Sequence, residues 1–203
     1  ESIFADDLSV FKSFDRHDIE ERVIADMERT RKHVHAWGSR NRVSFDPAKE
    51  QISIIHPIWG SDEPFTFLGI LFDTNMSMNS DIDALIRRCR PKIYSILRAH
   101  RYYSLKQTIN LFKTHIWGLV EYHTSAIFHA CDTLLNKLDN LQTNFCNKLG
   151  LSTREAFLDF NFAPLYLRRN IAMLAVLHKR VHNQCYPAFL TLFPLARSSN
   201  PRY

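Results

Sequence analysis

Residues 1–11, Glu1-Ser-Ile-Phe-Ala-Asp-Asp-Leu-Ser-Val-Phe11, set two adjacent acids, Asp6 and Asp7, between apolar-rich runs at 2–5 and 8–11. Short apolar runs on either side of a polar pair read as two strands joined by a turn. Neighbouring carboxylates repel each other and resist burial, so the turn is where they belong. Side chains at a hairpin tip project past the sheet while the flanking strands anchor them. Hard carboxylate oxygens there suit a divalent cation such as Mg²⁺, which commonly takes one or two carboxylates and keeps its waters and substrate phosphates. Taken alone, the dipeptide favours a solvated turn; the apolar runs on both sides argue for a specified hairpin tip.

Beyond this stretch, Ile19, Val23, Met27, Val34 and Trp37 recur mostly at spacings of three, four and seven, which predicts an amphipathic helix over about 16–37, with Gly38 as its stop. The segment RVSFDPAKEQISII (42–55) reads as strand, turn and strand, with Asp46-Pro47 as the turn signal. FTFLGILFD (65–73) reads as a further apolar strand carrying one glycine. From residue 80 the pattern turns helical. Ile82, Leu85, Ile86, Cys89, Ile93 and Leu97 mark one helix, in which Pro91 predicts a kink or a break. Leu105, Ile109, Phe112, Ile116 and Leu119 mark a second. Leu134, Leu138, Leu141, Phe145 and Leu149 mark a third, closed by Gly150, and 164–183 and 186–195 hold two more. The expected class is therefore α+β, divided at 1–77, 78–150 and 151–203.

The 203 residues are 45% apolar with only 5 Gly and 8 Pro, enough for a real core and unlike a low-complexity chain. Charge is uneven: residues 1–80 hold 9 Lys/Arg against 14 Asp/Glu, a net −5, and residues 81–203 hold 17 against 7, a net +10. A basic half commonly meets a polyanion. Cys89, Cys131, Cys146 and Cys185 form no CxxC pair and read as reduced thiols of an intracellular protein, cytoplasmic or nuclear. No apolar window is long enough to span a membrane, and no signal peptide is visible. Glu1 stands just ahead of a strand pattern, so the stretch is expected to be part of a longer polypeptide.

Phe4-Ala5-Asp6-Asp7 resembles the catalytic hairpin of reverse transcriptases, specifically those of non-LTR (LINE-type) retrotransposons. Further segments keep the family's order. The helix ending in Trp37 is similar to the palm helix after that hairpin. Phe45-Asp46-Pro47-Ala48-Lys49-Glu50 is similar to the family's Asn-Pro-x-Lys motif. Phe67-Leu68-Gly69 looks like the primer grip, and Leu111–Tyr122 (LFKTHIWGLVEY) resembles the thumb helix. The resemblance covers roughly residues 1–150. It implies a partial polymerase palm of antiparallel hairpins plus helix, then an all-helical thumb and a helical extension. It implies an RNA-directed DNA polymerase that transfers a dNTP to a primer 3′-hydroxyl with two Mg²⁺ ions, or Mn²⁺ in their place. In that implication Asp6 and Asp7 hold metal, Lys49 stabilises the departing pyrophosphate, and Phe67, Leu68 and Gly69 grip the primer. Asp46 and Glu50 depart from the family pattern and add negative charge beside Lys49. A further metal-binding aspartate and the fingers are expected upstream, so residues 1–203 alone are expected not to polymerise.

Arg87, Arg88, Arg90, Lys92, Arg98 and Arg101, interleaved with Tyr94, Tyr102 and Tyr103, are the candidate contacts to the phosphates of an RNA template–DNA primer duplex. A solvated helix face is the plainer reading. Arg168, Arg169, Lys179 and Arg180 form a second basic patch. His178, His182 and Cys185 invite a metal reading, but the Glu of HExxH and a fourth ligand are missing. His33, His35, His115, His123 and His129 read as surface or core residues. There is no P-loop, no GxGxxG and no Ser/His/Asp set. The rival to the enzyme is a truncated, catalytically dead retroelement remnant that at most binds nucleic acid. Group II intron-type or telomerase-like polymerases share the palm logic but fit the Lys113–Tyr122 segment less well.

Overall fold

The computed structural model describes residues 2–4, 7–15, 17–56 and 63–194. It divides into two compact units, residues 1–61 and 62–203. Helix dominates, with two separate two-stranded antiparallel sheets.

In the first unit, strand β1 (Ser2–Phe4) pairs antiparallel with β2 (Asp7–Ser9), setting Ser2 opposite Ser9, Ile3 opposite Leu8 and Phe4 opposite Asp7. The predicted pairing around the acids is present, with β2 beginning at Asp7 itself and ending sooner. Helix α1 spans Glu20–Arg40. Glu20 and Glu21 lie in its first turn, where the exposed N–H groups favour negative charge. Lys12 bridges to Asp26 at 2.6 Å, and this hydrogen bond holds the Asp26 carboxyl below its ordinary range.

Gly38 does not stop α1. The helix passes through it and closes at Asn41, whose Nδ2 donates to Trp37 O at 2.8 Å. A Cβ at Gly38 would stand 2.6 Å from Phe45 Cε2 and 2.7 Å from Val43 O. Glycine is needed there because the chain after the helix doubles back against it, with Val43 N–H donating to Gly38 O at 2.9 Å. The two strands expected in 42–55 are not formed. Asp46 Oδ1 accepts from Ala48 N–H at 3.0 Å and caps a 3₁₀ turn over Pro47–Lys49, with open backbone on both sides. The turn signal held; the flanking apolar residues find no ladder partner among the described residues, and a strand without one leaves its N–H and C=O groups to water.

In the second unit, FTFLGILFD folds as a hairpin and not as one strand. Strand β3 (Phe65–Phe67) pairs with β4 (Ile70–Phe72) across Leu68 (φ 48°) and Gly69 (φ 77°). Two positive-φ residues in a two-residue loop match the right-handed twist of the paired strands. The pair packs against helix α2 (Asn79–Ala99), so it groups with the helices. Helix α2 runs unbroken past Pro91. That proline and Arg87, whose carbonyl loses its i+4 donor, are both on the exposed side, where water can replace the bond.

The predicted second helix is α3 (Leu105–Phe112) and α4 (Gly118–Ile127) joined by a single π turn over Lys113–Trp117. A Ser104/Gln107 capping box opens α3. Helix α5 spans Asp132–Lys148. As expected it closes at Gly150: Leu151 N–H reaches Cys146 O at 3.0 Å and Gly150 N–H reaches Asn147 O at 3.1 Å, with Gly150 left-handed at φ 70°. Helices α6 (Thr153–Phe160), α7 (Leu165–Val181) and α8 (Pro187–Leu192) follow.

The core is the inner face of α2 (Ile82, Leu85, Ile86, Cys89, Ile93, Ile96) against α3, α4 and α5, centred on Phe112, Phe145 and Phe162. Ala156, Phe162 and Leu165 belong to the same cluster, so the polypeptide after residue 150 completes this core.

Candidate nucleic-acid interface and the hairpin acids

Asp6 lies outside the described residues, and of Asp7 only the backbone is described, as the first residue of β2. Lys49 ends the Asp46-capped turn with its side chain in solvent. Its acidic neighbour Glu50 is directed elsewhere, to Arg31 Nε at 3.0 Å and His35 Nε2 at 2.6 Å. Asp46 is turned onto its own backbone. Both departures from the family pattern therefore have local partners, and the added charge is not aimed at Lys49.

Phe67, Leu68 and Gly69 form the tip of the β3–β4 hairpin. Leu68 carries a left-handed backbone at a non-glycine residue, a cost of roughly 1–2 kcal/mol. Its carbonyl accepts from Tyr122 Oη at 2.5 Å. Two segments singled out in the sequence, FLG and LFKTHIWGLVEY, thus touch through one hydrogen bond. Three other residues of the second segment, Lys113, Trp117 and Glu121, are also engaged within the unit. Lys113 Nζ donates to Phe160 O at 2.7 Å, neutralising the carbonyl end of α6. Burial, and then the nearby Arg168, holds the Lys113 ammonium below its ordinary pKa. Glu121 pairs with Arg168, whose guanidinium stacks 3.7 Å from the centre of the Trp117 ring. Trp117 Nε1 donates to Gln142 Oε1 at 3.2 Å, and Gln142 Nε2 donates on to Ala163 O at 3.0 Å.

Sequence reasoning missed one buried pair. Asp81, in the first turn of α2, faces His123 of α4, with His123 Nδ1 2.7 Å from Asp81 Oδ2. The other oxygen, Oδ1, accepts from Leu71 N–H of β4 at 3.0 Å. His129 Nε2 donates to Met76 O at 2.6 Å and ties down the β4–α2 connection. Apolar periodicity cannot find such pairs, because each joins residues 10 to 53 positions apart.

The candidate phosphate contacts lie together. Arg87, Tyr94 and Arg98 recur at i, i+7 and i+11 along the solvent side of α2, flanked by Arg88 and Lys92 on one side and Arg90 on the other. All are exposed, and none of the five cations has an acidic or hydrogen-bonding partner among the described residues. Residues 84–120 hold eight Lys/Arg and no Asp/Glu, so no acid in that run neutralises the face. Arg101 stacks 4.6 Å from the Tyr102 ring centre, and Lys148 of α5 sits 5.0 Å from the Tyr94 ring centre.

The second basic patch does not survive. Arg168 is held by Glu121, Arg169 pairs with Asp139 through two bonds of 2.7 and 2.8 Å, and Arg180 donates to Phe193 O and Leu190 O. Of the four, Lys179 is exposed and has no partner among the described residues. Among the described residues no three His, Cys, Asp or Glu side chains converge as metal ligands, and no helix is long and apolar enough to cross a membrane. Comparison of the chain with protein-family models, curated proteins and solved structures gives no match.

Proposed function

We propose that this chain is the C-terminal palm and the thumb of a LINE-type reverse transcriptase, with the α2 face holding the template–primer duplex. The observation that carries the reading is that face: five cations in solvent, none neutralised, interleaved with an exposed tyrosine. Such a surface attracts phosphates and fixes the position of a duplex without reading its sequence. The link between Tyr122 and Leu68 supports it, since it joins two of the ordered segments of the resemblance. The two hairpin carboxylates offer the hard oxygens that Mg²⁺ or Mn²⁺ prefers. Bound there, such ions would supply charge stabilisation for phosphoryl transfer. Lys49, free of its acidic neighbours, would add a cation near a leaving pyrophosphate.

The test measures binding of the chain to a fluorescein-labelled RNA–DNA hybrid across a salt series, with Mn²⁺ line broadening of the β1–β2 amides as second readout. Changing Arg87, Arg88 and Arg90 together to Ala is expected to reduce the log–log salt slope by about 2–3, at roughly 0.9 per neutralised phosphate. Mn²⁺ is expected to broaden the Phe4, Asp7 and Leu8 amides, and Asp6→Asn with Asp7→Asn to abolish this. An unchanged slope overturns the duplex face. Binding without Mn²⁺ broadening favours the non-catalytic nucleic-acid module over the polymerase.

A further inference from the structure

Helix α7 ends in a histidine pair that the proposed function does not use. His178 lies in its last turn, and His182, four residues on, is its C-terminal cap. Residues four apart share one side of a helix, so the two imidazoles are neighbours. Their ring centres are 4.3 Å apart, with an interplanar angle of 45°. Both residues are exposed, and neither ring has a hydrogen-bond or ionic partner among the described residues. The sequence lacks the Glu of HExxH and the ligands of a closed zinc set, so what the fold supplies here is two ring nitrogens on one side of a helix end.

We infer that His178 and His182 form a two-nitrogen chelate for a late first-row divalent metal, Ni²⁺ or Cu²⁺, with water completing the coordination sphere. A metal–nitrogen bond of about 2.0–2.1 Å puts the metal roughly 3.2 Å from each ring centre. Two rings bound at right angles about the metal then have centres about 4.5 Å apart, and two bound tetrahedrally about 5.2 Å apart. The observed 4.3 Å suits the right-angled arrangement. Square and tetragonal sites of nitrogen and oxygen donors are those of Cu²⁺ and Ni²⁺, whereas Zn²⁺ favours the tetrahedron. Mg²⁺ and Ca²⁺ are rejected by donor type, since they take oxygen ligands and α7 carries no Asp or Glu. The helix end itself favours a cation, because its last carbonyls carry partial negative charge. Of the two cations between the histidines, Arg180 is turned onto Phe193 O and Leu190 O, and Lys179 is exposed. The rings already lie side by side, so binding a metal costs little further ordering.

The test is calorimetric titration of the full chain with Ni²⁺, with metal-induced broadening of the histidine ring proton signals as second readout. The His178 and His182 signals are expected to broaden first, and Mg²⁺ in about a hundredfold excess is expected not to compete. His178→Asn and His182→Asn should each weaken this binding roughly tenfold or more, and the double variant no further, because a chelate fails when either donor is gone. His33→Asn, an exposed histidine on α1, should leave it unchanged. Combining His182→Asn with Lys179→His keeps the histidine count but sets the imidazoles side by side in sequence. Adjacent residues do not face each other, so this variant should not regain the site. Losses that add between the two single variants, binding regained by Lys179→His, or binding undiminished in the double variant would each mean independent surface imidazoles and overturn the proposal.

Discussion

Replacing Asp81 tests how the second unit is held together. Asp81 is 2% exposed and serves two elements, His123 of α4 and Leu71 N–H of β4. Asp81→Ala strands a buried donor on His123 and a part-buried one on Leu71, and an unsatisfied buried donor costs about 1–3 kcal/mol. Breaking a buried pair from one side costs about 3–5 kcal/mol, which agrees with the sum. Loss of negative charge from the first turn of α2 adds about 0.3–1 kcal/mol. Against a stability of about 5–15 kcal/mol, Asp81→Ala removes a large part. Asp81→Asn should cost far less, about 1–2 kcal/mol, because its amide oxygen still accepts from Leu71 and its NH₂ faces an imidazole nitrogen that accepts in the other tautomer. The assay is urea unfolding followed by Trp117 fluorescence, with Trp37 and Trp59 changed to Phe. Trp117 is buried against Phe162 and reports on the second unit's core. A loss below about 1 kcal/mol for Asp81→Ala, or an Ala variant no worse than Asn, refutes the reasoning.

Two further predictions concern single positions. Gly38→Ala should destabilise the first unit by about 1–3 kcal/mol, since the new methyl meets the Val43 carbonyl, a backbone atom that cannot swing aside; circular dichroism melting with no change in midpoint would contradict it. Burial raises the Cys89 and Cys146 thiols to about 11 from 9.0, so above pH 9 the unfolded chain loses protons that the folded one keeps. Stability should then fall by up to about 1.4 kcal/mol per pH unit per thiol between pH 9 and 11, and native protein at pH 8 should react with thiol reagents at Cys131 but not at Cys89 or Cys146. Rapid labelling of Cys89 in folded protein would contradict this.

Helix positions were legible because each side of a helix faces one environment. Ile82, Leu85, Ile86, Cys89 and Ile93 are all buried on α2, and Gly150 ends α5 through a left-handed turn that glycine favours. The strands were less legible, because a strand needs a partner that its own sequence does not contain. The residues of 42–55 have apolar alternation without a ladder, whereas FTFLGILFD folds back on itself at Leu68-Gly69. Pro91 misled because its penalty depends on exposure, and here the freed carbonyl belongs to an exposed residue. The glycine at position 38 was read as a stop when its role is close approach by Phe45, a contact that appears only once the chain turns back. At the candidate site, the α2 cations were legible from composition and the helical repeat, but the engagement of Arg168, Arg169 and Arg180 was not, since their acceptors lie in α4, α5 and α8.

Lys113, Glu121 and Tyr122 bear on what the ordered segments mean. Each is engaged internally: Lys113 on the end of α6, Glu121 on Arg168, and Tyr122 on the hairpin tip at Leu68. Their spacing is thus accounted for by packing, whether or not the chain touches nucleic acid. A motif of this kind carries information about the fold and little about chemistry, because losing any of its residues would loosen the unit before it altered a reaction. The proposed chemistry would rest on residues that the fold does not engage; the described structure offers one such group on α2, and Asp6 and Asp7 enter on the sequence alone. Among the described residues the α2 cations stand in solvent without partners, and a bound polyanion would relieve their mutual repulsion. Asp6 and Asp7 put like charges side by side, an arrangement that a bound divalent cation would relieve in the same way. A polymerase needs both groups, whereas a nucleic-acid-binding remnant needs only the first. Variants at Arg87, Arg88 and Arg90 therefore speak to binding, and variants at Asp6 and Asp7 alone speak to catalysis.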